Sequence, residues 1–447
     1  MGRTSNRSFL HVRRPWLRVL GAALLVVLAL PGVARADAVT QWNINASRAI
    51  FAGAPNANVS ALGFAMVQGA VYDAVNGIDG GYQPYLVRPA ANPWDSKDAA
   101  VAAAAYRVLA AVIPTSQPAT LADLAAQYEA ALAAVPEGTP FERGAKAGGI
   151  AAGEEAAAAM LTARANDGRN PSTPFPFVFG STAGAWRVSF PLTQPETTAW
   201  VGNVTTFLVP SAEMLRTDGP NPLTSAEYAE EFNEVKALGS LTSTARTDDQ
   251  TKAAIFWQTQ PLGLYSGLMR SLSSRFALTP AENARMFAMV SLAAADAAIG
   301  CWNDKYYWNF WRPLDAIRLG ESDGNPATQG DANWRPLFDP ATATIPPLTT
   351  PNFPDHPSGH SCLSSAILHT MQEFFGTDRI EFHLVSNRFP GTSAQTRHYA
   401  RFSHALKEVI DARVWGGIHF RTADTQGAVL GKKVAHWERQ HFFQPTD

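Results

Sequence analysis

Cysteine is nearly absent from this chain: Cys301 and Cys362 are the two in 447 residues. Two cannot make a disulfide framework in a chain this long, so the fold must rest on a packed apolar core. Both read as buried thiols behaving as small apolar side chains, with pairing in an oxidising compartment as the alternative. Charge is also sparse, with 17% Asp, Glu, Lys and Arg and a formal net charge of -2. No global field then favours nucleic acid or an anionic membrane surface, and any anion site has to be built locally. Alternating polar and apolar runs are scarce, which argues against a sheet protein. Beyond the N-terminal segment, no run approaches the ~18 consecutive apolar residues that a membrane-crossing helix needs. Histidine is missing from most of the chain: nine of the ten follow position 355. Proton and ligand chemistry is therefore concentrated in the C-terminal quarter.

What is present begins with an export pattern. Arg3, Arg7, Arg13, Arg14 and Arg18 precede an apolar run from Val19 to Leu30, and Ala34-Arg35-Ala36 is a small-x-small cleavage pattern. Residues 1–36 read as a signal peptide and the mature chain as starting at Asp37, bound for the periplasm or the exterior. Arg13-Arg14 raises a twin-arginine route beside ordinary secretion.

The mature chain reads as all-α, a helical bundle. Periodicity predicts helices over 58–78, 95–112, 121–134 and 141–165, the last three alanine-rich and scaffold-like. Asp73, late in the first of these, reads as a structural ion-pair partner. Residues 167–222 lose periodicity and gain Pro, Gly, Phe and Trp, which reads as a wrapping segment walling one side of a pocket. Helix starts follow at Thr224 with Glu227, Thr247 with Gln250, and Thr279-Pro280 with Glu282. Later helices are predicted from Ser358 to 375, over 405–415 and over 423–441. An N-terminal part, 37–222, and a C-terminal catalytic part, 223–447, read as one continuous domain.

Three local patterns carry chemistry. Lys305 is followed seven positions later by Arg312-Pro313, so the two cations, about two helical turns apart, can face one direction. Pro357-Ser358-Gly359-His360 opens an apolar helical run. Unpaired N–H groups and the helix dipole there favour an anion, and Gly359 lets it approach the main chain. Ser358 reads as the N-cap, and His360 in the first turn is placed to move a proton. Arg413 is followed six positions later by His419, across Gly416-Gly417. Together these supply an ammonium, two guanidiniums, a hydroxyl, backbone N–H groups and two imidazoles, an inventory suited to a tetrahedral oxyanion such as phosphate or vanadate. Singly, each has a plainer reading. Lys305 and Arg312 pair with Asp304 and Asp315, Arg413 pairs with Asp411 or Glu408, and His419 satisfies a core hydrogen bond.

In this order the three patterns resemble the vanadium-dependent haloperoxidases and the related type 2 phosphatidic acid phosphatases. The resemblance spans Lys305 to His419 and hardly touches the first half. It implies a helical bundle around one buried oxyanion site. Lys305, Arg312, Arg413, Ser358 and the Gly359 N–H would hold the equatorial oxygens of vanadate. His419 would bind vanadium apically, or serve as the phosphate-accepting nucleophile in a phosphatase, and His360 would be the acid–base group. Trp302 and Phe353 resemble the aromatic positions beside the halide in chloroperoxidase-like members. The partners implied are hydrogen peroxide, halide and a small organic acceptor. Two departures stand out: Ala412 replaces a serine, and the nearest downstream acid, Asp424, lies five positions after His419 instead of four.

Three other classes compete. A secreted acid phosphatase would use the same residues through a phosphohistidine. A metal-dependent hydrolase would use Asp355, His356 and His360, although a helix starting at Ser358 keeps the two histidines off a common face. A non-catalytic oxyanion-binding protein would not need His360 and His419 together.

Overall fold

Capping chemistry sets the helix starts. Thr279 accepts from the Glu282 amide while the Glu282 carboxylate bonds back to Thr279, with Pro280 at the first position. Thr247 and Gln250 repeat the device. At the third predicted start the cap is Ser225, not Thr224: its hydroxyl accepts from the Tyr228 amide at 3.1 Å. A Ser one residue nearer the helix does the same capping chemistry, so the start moves by one.

The computed structural model describes residues 37–446 apart from 54–55, 138, 140–142, 190, 342–348 and 387–393. The predicted export signal lies outside them. The helices among the described residues are α1 (Ala38–Ala52), α2 (Ala57–Asp79), α3 (Lys97–Val112), α4 (Pro118–Ala134), α5 (Ala145–Ala163), α6 (Ala226–Leu238), α7 (Asp248–Phe256), α8 (Pro261–Arg275), α9 (Pro280–Trp308), α10 (Pro313–Arg318), α11 (Gly359–Phe375), α12 (Phe402–Trp415) and α13 (Arg421–His441). The fold is all-α as expected from sequence, with α1, α8 and the short α10 added to the helices that the sequence predicted. One short antiparallel hairpin, β1 (Phe382–Ser386) and β2 (Gln395–Tyr399), interrupts it, pairing Phe382 with Tyr399. Asp37–Asp447 forms one compact unit.

The long helix α9 is the axis. It packs against α2 on one side and against α11 and α13 on another. It is long and apolar enough to cross a membrane, yet 94% of its most apolar window is buried inside the protein, where it serves as a core helix. α11 and α13 also pack closely on each other: a Cβ on Gly427 would come within 2.8 Å of the Ser358 carbonyl oxygen. That approach seats the turn before α11 against α13.

Two buried acids tie irregular chain to these helices. Asp73 on α2 accepts the amides of Tyr85, Leu86 and Val87 at 2.6–3.0 Å. Asp296 on α9 does the same for Phe207, Leu208 and Val209 at 2.5–2.8 Å. Asp73 is thus a backbone acceptor and not the ion-pair partner its position suggested. The segment over 167–222 wraps the bundle with two short 3-10 turns, Ala199–Asn203 and Ala212–Leu215. Its Phe175, Phe177 and Trp186 pack around Tyr306 near the end of α9.

Candidate functional site

The end of α9, the loop over 349–358, the start of α11 and the turn between α12 and α13 meet at one place. A cavity of about 360 Å³ opens there, lined by Trp302, Phe353, Gly359, His360, Arg413 and His419 among others. Gly359 and His360 come from the second sequence pattern, and Arg413 and His419 from the third. Lys305, Arg312 and Ser358 are fully buried and lie outside its lining.

Lys305 spends its ammonium on the loop, donating to the carbonyls of Pro354 and Asp355 at 3.1 and 3.0 Å and to that of Pro357. Arg312 donates to the carbonyls of Phe353 at 2.8 Å and Ile418 at 2.7 Å. The two cations do converge, as their spacing suggested, but in this structure their donors hold the loops that frame the cavity. Arg413 is less committed. Its Nη1 donates to Trp257 O at 3.1 Å and Gln258 Oε1 at 2.8 Å, while its buried Nε has no partner. Ser358 occupies the N-cap position with extended backbone, yet its hydroxyl makes no capping bond. That hydroxyl is buried beside the Asp424 carboxylate without a directed hydrogen bond.

The acids that would neutralise these cations are engaged elsewhere. Asp304 pairs with Arg216 and accepts from Thr217, and Asp315 accepts from Ser189. Asp411 pairs with Lys407 and Arg421, and Glu408 with Arg397. Asp355 is the acid in ion-pair range of Arg312, at 3.9 Å. Burial pushes the guanidinium pKa values down, to about 10 for Arg312 and about 9 for Arg413, and lowers Lys305 as well. The result is a buried cluster with surplus positive charge, which is costly unless an anion joins it.

Asp355 has a second role. Its Oδ1 stands 2.8 Å from Nδ1 of His419, at hydrogen-bond distance though off the ideal N–H axis. On the other edge of the ring, Nε2 lies 3.3 Å from Arg312 Nη1. A guanidinium can only donate, so Nε2 is the acceptor and Nδ1 carries the proton toward Asp355. Burial first, then Arg312 and Lys305, hold the His419 pKa well below its usual value, so the imidazole stays neutral with a lone pair on Nε2. Asp424, the downstream acid that stands five residues after His419, does not take this orienting part. Asp424 instead accepts from Ser361 Oγ at 2.9 Å, and burial raises its pKa to about 7. Asp355 carried one sequence signal: it is a carboxylate in an apolar, proline-rich loop just ahead of the histidine-bearing turn.

Trp302 and Phe353 form a tilted pair, ring centroids 5.4 Å apart, in the cavity wall. Both cover buried cations: Lys305 Nζ lies 5.7 Å from the Trp302 ring and 5.0 Å from that of Phe353. A Cβ on Gly359 would meet the Trp302 ring at 3.0 Å, so glycine is needed for this packing. His356 takes no part. Its Nε2 lies 2.9 Å from Thr217 Oγ1 and its ring stands edge-on to Trp308, while His360 lines the cavity and Asp355 faces His419. The three residues of the metal-hydrolase reading are thus dispersed. Cys301 and Cys362 are buried free thiols.

A residue that sequence reasoning missed lines the same cavity. Glu196, from the wrapping segment, accepts from Trp302 Nε1 at 2.6 Å, Tyr306 OH at 3.0 Å and Thr198 Oγ1 at 2.8 Å.

The donor set fits a tetrahedral oxyanion. It offers orphaned buried polar atoms at Arg413 Nε and Ser358 Oγ, surplus cationic charge and the N-terminal amides of α11, which the helix ladder leaves unused. A helical bundle enclosing such a site defines a class of oxyanion-dependent enzymes and phosphatases. Comparison with known proteins agrees. Residues 285–446 match the family of the VCPO second helical-bundle domain. The vanadium chloroperoxidase of Curvularia inaequalis is 31% identical over 170 residues, 34% of this chain and 27% of that protein. The match therefore spans about a quarter of that relative's length. The structure of the first bacterial vanadium-dependent iodoperoxidase is similar with a TM-score of 0.72 at 19% identity, over 91% of this chain and 96% of that one. A holo-type bacterial vanadium-dependent chloroperoxidase gives 0.68 at 17%, over 91% and 97%. These two likenesses show the fold. Over residues 285–446 the chain thus matches the VCPO second helical-bundle family, and over most of its length it shares the fold of the bacterial vanadium-dependent haloperoxidases.

Proposed function

We propose that this protein is an exported vanadate-dependent haloperoxidase, using hydrogen peroxide to oxidise halide for transfer to a small organic acceptor. The observation that carries the reading is His419: neutral, oriented beside Asp355 through Nδ1, with its Nε2 lone pair set among Arg312, Arg413 and Lys305. Vanadate would be held by that lone pair and by Arg413, Ser358 and the α11 amides, with Lys305 and Arg312 offsetting its charge. Bound there, it supplies the Lewis-acidic centre that activates peroxide. His360, in the first turn of α11 and lining the cavity, is placed to exchange protons with what is bound there. Trp302 and Phe353 support the peroxidase branch, because an aromatic pair against the anion site gives a weakly hydrated halide a dry place to approach.

The phosphatase reading shares every one of these residues, since a neutral His419 Nε2 is also a competent nucleophile. One preparation assayed for halide oxidation after vanadate loading and for phosphate-ester hydrolysis without vanadate decides between them. Halide oxidation is expected. No oxidation at full vanadate occupancy, with efficient hydrolysis in its absence, would move the assignment to the phosphatase. His419→Ala should abolish vanadate binding, measured by equilibrium dialysis, whereas His360→Ala should keep binding and lose turnover. Full activity in the first variant would sink the assignment. Cell fractionation tests the export part of the proposal: the protein should be recovered outside the cytoplasm.

A further inference from the structure

Glu196 is a carboxylate in the wall of a cavity that otherwise attracts anions. Its surroundings are specific. One oxygen takes the indole N–H of Trp302 and the hydroxyl of Tyr306, and the other takes the hydroxyl of Thr198. Thr198 is itself fixed by the side-chain amides of Asn56 and Asn58, at 3.0 and 3.1 Å. Tyr306 is held by the aromatic stack of Phe175, Phe177 and Trp186. The Glu196 amide donates to the Asn352 carbonyl at 3.1 Å, tying the wrapping segment to the cavity loop. No arginine or lysine forms an ion pair with this carboxylate among the described residues. Lys305 and Arg312 act on it through space, and Tyr306 is the other titratable group facing it.

Resting on the haloperoxidase reading, we propose that Glu196 is a specificity-determining residue for anion entry. In its ionised form it opposes halide and oxyanion at the cavity wall, and in its protonated form it admits them. A negative charge beside the approach path lowers anion on-rates, and a neutral hydrogen-bonding group does not. Burial also moves the carboxyl pKa upward, against the opposing pull of its three hydrogen bonds and Lys305, so its charge changes at a higher pH than an exposed glutamate's. Below that point the group is neutral and entry is open; as pH rises through it, entry is opposed.

The test uses the full mature chain and two readouts across pH 4–8: the uptake rate of orthovanadate by the vanadate-free protein, followed by rapid filtration and metal analysis, and the halide KM of the loaded enzyme. In the wild type, uptake should slow and halide KM should rise by about tenfold as Glu196 ionises. Glu196→Gln, which keeps an acceptor for Trp302 and Tyr306, should lose the Glu196-dependent part of both slopes and stay nearer the acid-limit values. Glu196→Asp should restore a pH-dependent profile, a rescue that a purely structural role would not produce. If Glu196→Gln folds poorly, Glu196→Ala supplies the same comparison. Profiles in the glutamine or alanine variant that keep the wild-type slope overturn the proposal. An enzyme that fails to oxidise halide but takes up vanadate with the Glu196-dependent slope overturns the haloperoxidase reading and leaves the role of Glu196 in anion entry standing.

Discussion

The scaffold and the site both bury charge, and they settle it in opposite ways. In the scaffold the buried acids Asp73 on α2 and Asp296 on α9 are closed by the chain: each accepts three consecutive backbone amides. At the cavity the buried charges are cations, and the chain closes them only in part. Lys305 is satisfied by three carbonyls, but Arg413 keeps an unpartnered Nε, and Asp411 and Glu408 on its own helix are bonded to other residues. A closed buried charge is a fastening. A buried charge left open is a binding site with a preference of sign, and its cost to the free protein is what a ligand relieves.

The sharpest break in that comparison comes from removing a closed charge. Asp296→Ala strands three buried amides over 207–209, and unfolding in denaturant should show a loss of about 3 kcal/mol or more. Vanadate stoichiometry in the surviving folded fraction should be unchanged, because Asp296 is not among the residues lining the cavity. A loss under 1 kcal/mol would mean that the loop is held by packing and not by the carboxylate.

A smaller effect tests how closed the scaffold acids are. Burial raises Asp73 from 3.8 to about 6 despite its three amide bonds. The folded protein therefore holds this proton more tightly than the unfolded chain. The stability this gives is complete below pH 3.8 and is lost as pH rises through about 6. Asparagine cannot ionise, so the stability of Asp73→Asn relative to wild type should improve between pH 4 and 7, on the order of 2–3 kcal/mol. A pH-independent difference would show that the amides cancel the cost of burial.

The contrast also explains what could be read before the structure. Helix starts at Thr247 and Thr279 and the three charged patterns were legible because each is written within a few residues. The all-α fold followed from periodicity. The partners of the charges were not legible, because pairing is a long-range fact: Asp355 meets His419 across 64 residues, and Glu196 meets Trp302 across 106. Glu196 lies in an aperiodic stretch, where no pattern marks one acid above another. The hairpin over 382–399 escaped because its strands are five residues each and one of them, Gln395–Tyr399, is mostly polar.

The smallest expected effect bears on that long-range pairing. Asp355→Asn keeps the size of the side chain but removes the charge that holds the Nδ1–H tautomer of His419. Outer carboxylates of this kind contribute about 10–100-fold in affinity for what the histidine binds. Equilibrium dialysis with vanadate should show a loss in that range. Asp424→Asn should lose less, because Asp424 faces Ser361 and Ser358 and not the ring. If the order were reversed, the downstream acid would be the one that orients the ring, and the 2.8 Å approach of Asp355 would be a consequence of packing alone. The expected order instead makes Asp355 a buried acid that serves two neighbours: Arg312, which frames the loop, and His419, which faces the ligand.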